Sequence, residues 1–376
     1  MIKILLITQS KLTGLNYHRQ LVPHDNLLRN YPNDYDVTLC VDIDKLPDEE
    51  IKKHQIVTFL RLVHEKFRSE EIIKRCQALG CKVIIDIDDY WFLHPTHELY
   101  HTYQKHKVAE QTISGLRIAD CITTTTEHFA KKIMEQNKNV LVLQNSIEPT
   151  EPQYQHKPTE SERIRFGWIG GVYHAPDIRL MYNGFKEVWK GCRSDKFQLC
   201  LGGYGNNPSY NFLEKVFTDN YKYPKDFGNN YQKYLAKQTP EGNEIADKQP
   251  YKRLWAKEVN KYCEMYNEID VALVPLNVNG FNSYKSQIKI IEAGWFKKAA
   301  IVSNVLPYNI DCNKHNSILI TPDKRGAGWG VSIKSLLHNP ERIKEYAEAL
   351  HQTVLARYLM DDVNKIRHQL YQRICE

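Results

Sequence analysis

Apolar and polar positions alternate along this chain on two length scales. Short apolar runs bounded by turn-forming residues are separated by longer stretches with helical periodicity, which is typical of a parallel sheet covered by helices. The runs in the first part of the chain are Ile2 to Thr8, Asp36 to Val41, Ile56 to Leu60, Lys82 to Ile87, Cys121 to Thr125 and Val140 to Leu143. This alternation predicts one complete doubly wound α/β unit.

A second set of strands follows a segment without periodicity. Glu148 to Glu162 is rich in Pro, Glu, Thr and Gln, and we interpret it as a linker between domains. The later runs are Ile164 to Ile169, Phe197 to Leu201, Val271 to Pro275, Ala299 to Ser303 and Ser317 to Thr321. A polar insertion from Asn206 to Pro250 interrupts them, and Pro340 to Cys375 has a helical pattern. The chain is therefore predicted to contain two similar α/β halves.

The composition excludes several classes of protein. With 376 residues the chain is too long for one ordinary core, and its formal net charge of +6 is compatible with phosphorylated ligands or an anionic acceptor. Its nine cysteines form no C-x-x-C pair, so neither a disulfide framework nor a zinc knuckle is indicated. No apolar stretch approaches the roughly 20 residues that span a bilayer, and the apolar start is too short for a signal peptide. We expect a cytoplasmic protein.

The strand VALVPL is followed by a segment that could bind an anion. A helix is predicted to begin at Asn282 or Ser283, and its free N–H groups would suit a diphosphate. Lys285, Lys289 and Glu292 would then share one helix face, where two cations and a carboxylate could hold phosphate charge and ribose hydroxyls. The alternative is a solvated face that carries a Lys289–Glu292 ion pair.

This segment carries a resemblance to a known family. Ile269 to Pro307 looks like the nucleotide-binding signature of GT-B glycosyltransferases, particularly the large retaining family four. The family has two glutamates eight positions apart, and Glu292 matches the second, which binds the donor ribose. Tyr284 occupies the place of the first glutamate, and Lys285-Ser286 follow it as in a divergent branch. The resemblance implies that Lys285, Ser286, Lys289 and Glu292 bind the nucleotide.

Two glycine-containing segments extend the resemblance. RFGWIGGVYHAPD is similar to the strand and turn that open the donor-binding domain, where the main family supplies an Arg and a Lys to the diphosphate. Here that region offers Gly170, Gly171 and His174 instead. LCLGGYGNN resembles the next strand and its turn, which borders the base. In the first half, GLNYHRQLVP resembles a strand-to-helix loop in which Gly14 lets the backbone approach a donor phosphate, with Arg19 one turn further on.

Three closely spaced acids, Asp86, Asp88 and Asp89, lie at the end of the predicted strand Lys82 to Ile87. Asp88 and Asp89 could accept hydrogen bonds from sugar hydroxyls or from the attacking hydroxyl, and Trp91 could stack on a ring. We predict Asp88, Asp89 and His174 as the catalytic residues. Two alternatives stay open for the acids. Asp86-x-Asp88 matches the D-x-D that binds Mn²⁺ in one-domain GT-A transferases, and the acids could simply cap the loop that follows.

The resemblance implies a fold and a reaction. The fold class expected is α/β, GT-B, with two tandem Rossmann-like domains facing a central cleft: residues 1–150 bind the acceptor and 163–350 the nucleotide-sugar donor. The terminal helix, 351–376, is expected to pack back toward the first domain. The reaction expected is sugar transfer from a nucleoside-diphosphate sugar to an acceptor hydroxyl, with retention, without a metal and without a cofactor.

The acceptor is the open part of the prediction. A glycan or glycolipid is preferred to DNA, and peripheral membrane contact is compatible with the absence of a spanning segment. Transfer of the sugar to a base of phage-type DNA is the first alternative, because the chain has a net positive charge and a Lys- and Tyr-rich insertion. A non-catalytic nucleotide-binding or scaffold protein of the same fold is the second, because the first glutamate and the Arg/Lys pair of the family are missing.

Overall fold

The chain folds as two compact units. The structure, a computed structural model, describes residues 1–9, 12–61, 69–219, 221, 235–240, 249–323 and 326–376. Unit 1 comprises Met1–Pro149, Asn279–Ile288 and Arg357–Glu376. Unit 2 comprises Thr150–Val278 and Lys289–Ala356. A short segment of the second half of the sequence, Asn279–Ile288, thus makes its contacts in unit 1.

The strands are short and mostly buried, as expected for parallel sheets with both faces covered. In unit 1 they are β1 (Ile2–Ile7), β2 (Tyr35–Cys40), β3 (Ile56–Leu60), β4 (Lys82–Ile87), β5 (Cys121–Thr124) and β6 (Val140–Val142). In unit 2 they are β7 (Ile164–Ile169), β8 (Phe197–Tyr204), β9 (Tyr251–Trp255), β10 (Val271–Val274), β11 (Ala299–Ser303) and β12 (Ile318–Ile320).

Helices connect the strands. Among the described residues the α-helices of the first half are α1 (Gly14–Asn16), α2 (Val22–Asn30), α3 (Asp48–Ile51), α4 (Ser69–Ala78), α5 (Tyr100–Lys105), α6 (Val108–Ile118) and α7 (Glu127–Ile133). Those of the second half are α8 (Ala175–Ile178), α9 (Tyr182–Gly191), α10 (Ser209–Thr218), α11 (Ile288–Trp295), α12 (Ala327–His338), α13 (Glu341–Arg357) and α14 (Met360–Cys375). A π-helical turn, Tyr17–Leu21, joins α1 to α2.

In unit 1 the described strands form one parallel sheet in the order β2-β1-β3-β4-β5-β6. Side chains such as Ile85, Ile122 and Phe129 fill the core on one face. On the other face Tyr371 of α14 packs against Tyr35 of β2 at a centroid distance of 6.0 Å. His24 of α2 and Tyr371 are also joined through His24 Nε2 and the Tyr371 hydroxyl, 3.0 Å apart. The terminal helix is therefore part of the unit 1 core.

In unit 2 the described strands form a second parallel sheet in the order β12-β11-β10-β7-β8-β9. Its core is rich in aromatic residues, including Phe166, Phe185, Phe197 and Phe217. The expectation of an α/β fold with two Rossmann-like halves is confirmed by these two sheets. Strand β9 was not predicted, because Lys252 and Arg253 interrupt its apolar pattern.

The two cations of β9 are buried with partners. Lys252 Nζ lies 2.9 Å from a carboxylate oxygen of Glu268, and Arg253 Nε lies 2.7 Å from one of Glu214. Neutralised in this way, charged side chains can occupy a buried strand. The strand follows the predicted insertion Asn206–Pro250, whose first part forms α10 and whose residues 220, 222–234 and 241–248 lie outside the described residues.

The two units divide between Pro149 and Thr150, within the predicted linker Glu148 to Glu162, and the central part of that segment is attached to unit 2. Gln153 and Tyr154 are buried, and Trp295 Nε1 donates to the carbonyl of Tyr154 at 2.8 Å. Further on, the backbone N–H of Lys157 donates to Asn267 Oδ1 at 2.9 Å. The segment lacks periodicity because single side chains and backbone groups attach it to unit 2, so its sequence shows no regular apolar pattern.

Candidate functional site

The unit 2 sheet has a topological switch point between β7 and β10. These strands are neighbours, and the connections that leave them proceed toward opposite edges of the sheet. In open α/β sheets, ligands bind outside the carboxyl ends of the strands at such a point. Gly170, Gly171 and His174 follow β7 here, as the sequence placed them.

The glycine turn after β7 is tightly built. A Cβ atom on Gly170 would lie 2.6 Å from Lys289 Nζ and 2.8 Å from Cζ2 of Trp168, so only glycine fits without displacement. Gly203, with a φ of +83°, brings the next loop against the Gly170 carbonyl oxygen. Gly171 differs, because a Cβ there would meet nothing within 4 Å. The backbone at Gly171 therefore lies beside open space, where a ligand can approach it.

Lys289 places a positive charge at this strand end. It is the second residue of α11, and its Nζ donates a hydrogen bond to the carbonyl oxygen of Ile169, the last residue of β7. The same ammonium lies 5.1 Å from the centroid of the buried Trp168 ring, a cation–π distance. Helix α11 thus delivers the ammonium of Lys289 to the turn formed by Gly170 and Gly171.

His174 completes this group of residues. Its Nδ1 lies 3.0 Å from Oδ2 of Asp177, and Oδ1 of Asp177 accepts hydrogen bonds from the backbone and side chain of Asn277 after β10. The His174 ring also meets Trp168 edge-on, with centroids 6.1 Å apart. Sequence reasoning did not assign a role to Trp168 or Asp177, although both lie in the segment RFGWIGGVYHAPD, and it missed Asn277, because no local motif links that residue to Asp177, 100 positions away.

Glu292 is buried rather than solvated. Its side chain is 1% exposed, Oε2 accepts a hydrogen bond from the Tyr266 hydroxyl at 3.0 Å, and Oε1 has no hydrogen-bond partner among the described residues. Burial raises the pKa of this carboxyl well above its ordinary value. The alternative of a solvated helix face with a Lys289–Glu292 pair is therefore wrong for Glu292.

This burial has a measurable consequence for stability. The folded state holds a proton on Glu292 at pH values where the unfolded chain, with a pKa near 4.5, has released it, so stability falls as pH rises above that value. Glu292→Gln removes this titration. We expect the stability gained by Glu292→Gln to grow from pH 5 to pH 8, by at most about 1.4 kcal/mol per pH unit. Urea unfolding of both proteins across that range tests it, and a pH-independent difference would contradict it.

The predicted start of the nucleotide-binding helix is wrong. Asn282–Tyr284 forms a single 3₁₀ turn, Lys285 is extended with φ −64° and ψ 162°, and α11 begins only at Ile288. The cause is a set of unit 1 contacts: Tyr284 stacks on His128 with centroids 4.9 Å apart, and Gln287 Nε2 donates to the Tyr358 hydroxyl at 2.7 Å. Lys285 and Lys289 therefore do not share a helix face.

Lys285 and Ser286 lie instead against the strand ends of unit 1. Lys285 Nζ is 3.3 Å from Oδ1 of Asp89 and 4.4 Å from the centroid of the Phe281 ring. Ser286 Oγ accepts a hydrogen bond from Nδ2 of Asn145 at 2.7 Å. In this structure Lys285 neutralises one of the two predicted catalytic acids. Its predicted contact with the nucleotide stays a prediction.

Asp88 lies directly beside this pair. It is half-buried, and burial together with the charge of Asp89 raises its pKa to about 6, against the opposing effect of Arg61 and Arg19. A carboxyl with a pKa near neutrality is suited to accept a proton from a hydroxyl. The structure thus brings Asp88, Asp89 and Lys285 together at the carboxyl end of β4.

Asp86, the first carboxylate of the D-x-D motif, is not available to bind a metal ion. Asp86 is buried, and both its oxygens accept from Arg19, at 2.9 Å from Nε and 2.6 Å from Nη2. Thr123 Oγ1 donates to the same carboxylate at 2.7 Å. Asp86 is therefore committed to an internal ion pair, and no group of His, Cys, Asp and Glu among the described residues is arranged to hold a metal.

Gly14 begins the helical segment after β1. It is the first residue of α1, whose start is capped by the Thr13 side chain, and a Cβ on Gly14 would meet nothing within 4 Å. Glycine is therefore not required here by packing within the protein. Its predicted role, close approach of a donor phosphate, stays a prediction.

Solved glycosyltransferase structures match this fold over almost the whole chain. Sucrose-phosphate synthase from Thermosynechococcus elongatus aligns with a TM-score of 0.66 at 12% identity, covering 100% of this chain and 99% of that one. HepE from Anabaena, solved in complex with UDP-glucose, aligns with a TM-score of 0.65 at 10% identity over 99% and 100% of the two chains. A glycosyltransferase from Rickettsia africae gives 0.63 at 12% identity over 100% and 99%.

These matches define the fold. No protein-family model matches the chain, and no curated protein matches it by sequence. The predicted GT-B fold is confirmed, whereas the resemblance to retaining family four stays a prediction. Within the part of the chain that the structure describes, no helix is long and apolar enough to cross a membrane.

Proposed function

We propose that this protein is a glycosyltransferase that moves a sugar from a nucleoside-diphosphate sugar to an acceptor hydroxyl. Unit 2 binds the donor and unit 1 the acceptor. The observation that carries the proposal is the convergence of Lys289, His174 and the Gly170–Gly171 turn at the switch point of the unit 2 sheet. The UDP-glucose complex of HepE, which has the same fold, supports a nucleoside diphosphate as the ligand.

The chemistry of the leaving group fits these residues. When the sugar departs, negative charge grows on the diphosphate, and fixed donors and cations aimed at that charge lower the barrier. The ammonium of Lys289 is held in place by the Ile169 carbonyl and the Trp168 ring. It also lies in the first turn of α11, where the helix dipole favours anions. We propose that these protein charges act in place of a metal ion, and that transfer proceeds with retention as in the resembling family.

Glu292 suits the ribose of the donor. It lies one turn beyond Lys289 on α11, and Tyr266 already fixes one of its oxygens. The buried Oε1 has no partner in the described part of the chain, and an unsatisfied buried polar atom is costly. A ribose hydroxyl that forms a hydrogen bond with Oε1 would remove that cost. Nucleotide binding would therefore satisfy a buried oxygen that is unsatisfied in the nucleotide-free protein.

The acceptor side of the proposal rests on the loop that follows Asp88 and Asp89. Helix α5 buries none of its residues, and Phe92 is 47% exposed. The exposed basic side chains of this stretch are His94, His101, Lys105, His106 and Lys107. Exposed aromatic and cationic side chains beside two carboxylates suit a sugar bearing anionic groups. We propose a glycan or glycolipid acceptor.

Nucleotide binding tests the proposal directly. We expect one nucleoside diphosphate from a panel of UDP, GDP, ADP and dTDP, and its sugar conjugate, to raise the melting temperature, with the same rise in EDTA. Glu292→Ala should abolish the rise, because it removes the predicted ribose contact and the shorter of the two hydrogen bonds that the Tyr266 hydroxyl donates. Glu187→Ala is the matched control, since that glutamate is an exposed partner of Lys190 in the same unit.

Three outcomes would count against parts of this proposal. No shift with any nucleotide would remove the donor site altogether. A shift that EDTA abolishes would remove the metal-independent mechanism. Binding without hydrolysis or transfer across a broad panel of sugar donors and acceptors, including duplex DNA, would favour a non-catalytic nucleotide-binding protein.

A further inference from the structure

The carboxylate of Asp177 joins the loops that follow the two central strands of the unit 2 sheet. Its Oδ2 lies 3.0 Å from Nδ1 of His174, in the loop after β7. Its Oδ1 accepts from the backbone N–H and the side-chain amide of Asn277, after β10, at 2.8 and 3.0 Å. Asn277 Nδ2 also donates to the carbonyl of Pro176 at 2.6 Å. One buried carboxylate is therefore shared by both loops at the switch point.

This arrangement determines the proton on His174. A carboxylate that faces Nδ1 keeps a proton there and fixes the orientation of the ring. It also stabilises the imidazolium, in which Nε2 carries the second proton and becomes a charge-assisted donor. An imidazolium held in this way can bind an anion with a defined geometry, which a mobile surface histidine cannot.

The surrounding charges act in both directions on this pair. The ammonium of Lys289 lies over the same Trp168 ring that His174 meets edge-on, so its charge opposes protonation of His174. Asp177 favours protonation: although burial opposes ionisation, its bonds to His174 and Asn277 hold the pKa of Asp177 below its ordinary value. The anionic form of Asp177 is thus the one that the fold stabilises.

The other titratable groups that the described residues bring close to this pair are neutral or already paired. Burial raises the pKa of Tyr308, which lies close enough to sense the Asp177 charge, so its hydroxyl stays protonated. Helix α10 packs against the turn that contains His174. On that helix burial raises the pKa of Tyr210, and Glu214 is held in its ion pair with Arg253. Among the described residues, Asp177 is therefore the carboxylate in direct contact with His174.

We propose that Asp177 is a positioning residue for the donor, holding His174 as an imidazolium whose Nε2–H donates to the diphosphate of the nucleotide sugar. This inference rests on the proposed function and assigns the second cation of its donor site. It has a consequence that Lys289 alone would not produce. Donor affinity should fall as pH rises through the titration of His174, and Asp177 should set the pH at which it falls.

Two measurements test the pair. In the nucleotide-free protein, histidine NMR signals assigned with the His174→Gln variant should show the pKa of His174 lowered by about one unit or more in Asp177→Asn, because an opposite charge has been removed. Calorimetric titration with the nucleoside diphosphate found for the wild type should show about tenfold weaker binding by Asp177→Asn at pH 7. At pH 6 its affinity should recover toward that of the wild type, and His174→Gln should bind weakly at both pH values.

The matched control is Asp195→Asn, which alters an exposed aspartate paired with Arg193 in the same unit. If Asp177→Asn does not fold, His174→Gln leaves the Asp177–Asn277 bonds in place and must by itself remove the fall of donor affinity with rising pH. An unchanged His174 titration and an unchanged pH profile in Asp177→Asn, with only a lower melting temperature, would overturn the inference alone. Absence of nucleotide binding by the wild type would overturn it together with the proposed function.

Discussion

Replacing Lys289 by alanine should reduce sugar transfer by about 10²- to 10³-fold, the range found when one preorganised charge-stabilising donor is removed from an active site. The ammonium is held by two features of the fold, the Ile169 carbonyl and the face of Trp168. It therefore needs no reorganisation when charge develops on a departing diphosphate. We expect the loss in kcat as well as in donor affinity, measured by release of the nucleoside diphosphate.

A second substitution at the same position separates charge from packing. Lys289→Met keeps most of the aliphatic stem and should lose about as much activity as Lys289→Ala, because what matters in this mechanism is the charge. Lys190→Ala, which removes an exposed lysine on α9, serves as the control. Activity of Lys289→Met within threefold of wild type would show that the ammonium does not act on the diphosphate.

The strands could be predicted from the sequence because parallel sheets bury both faces. The predicted run Ile56 to Leu60 coincides with β3, and Ile164 to Ile169 coincides with β7. In such strands both faces are buried, so the apolar pattern is nearly continuous and local, and in β7 only Arg165 interrupts it. Strand β9 was missed for the opposite reason, since Arg253 is buried only by virtue of Glu214, 39 residues away in the sequence.

The site could be predicted only in part. Gly170, His174 and Lys289 were identified one by one, and the structure brings them to one strand end. Their organisation could not be predicted, because it depends on contacts remote in sequence. Asp177 reaches Asn277 across 100 positions. The start of α11 was misplaced because the docking of Tyr284 on unit 1 outweighs the local capping pattern at Asn282.

Arg19 and Asp86 form the buried ion pair at the carboxyl end of β4. The guanidinium makes two hydrogen bonds to the carboxylate, and its Nη1 also donates to the carbonyl of Leu143 at 2.7 Å and to Asn145 Oδ1 at 3.2 Å. The two side chains are 3% and 8% exposed. The pair therefore connects the helical segment after β1 with the ends of β4 and β6.

Removing either partner alone should be strongly destabilising. Arg19→Met leaves the Asp86 carboxylate buried without its cation, and Asp86→Leu leaves the guanidinium without its anion. We expect each to lower the free energy of unfolding by about 3–5 kcal/mol. The double variant should lower the free energy of unfolding by less than the sum of the two single decreases, because no uncompensated buried charge remains. Hydrogen exchange followed by mass spectrometry can assign the loss to unit 1 peptides, and Arg193→Ala, in an exposed pair of unit 2, should leave them unchanged.

The same substitutions should also affect acceptor use. Asp88 follows Asp86 by two positions, and Asn145, which accepts from Arg19, donates to Ser286 next to Lys285. Loss of the guanidinium therefore weakens the support of both chain segments that form the Asp89–Lys285 pair, the end of β4 and the segment that contains Ser286. We expect Arg19→Met, assayed at a temperature where it remains folded, to raise the KM for the acceptor by a larger factor than it weakens donor binding, to which Lys285 and Ser286 are also predicted to contribute. Equal losses for donor and acceptor would contradict the assignment of the acceptor to unit 1.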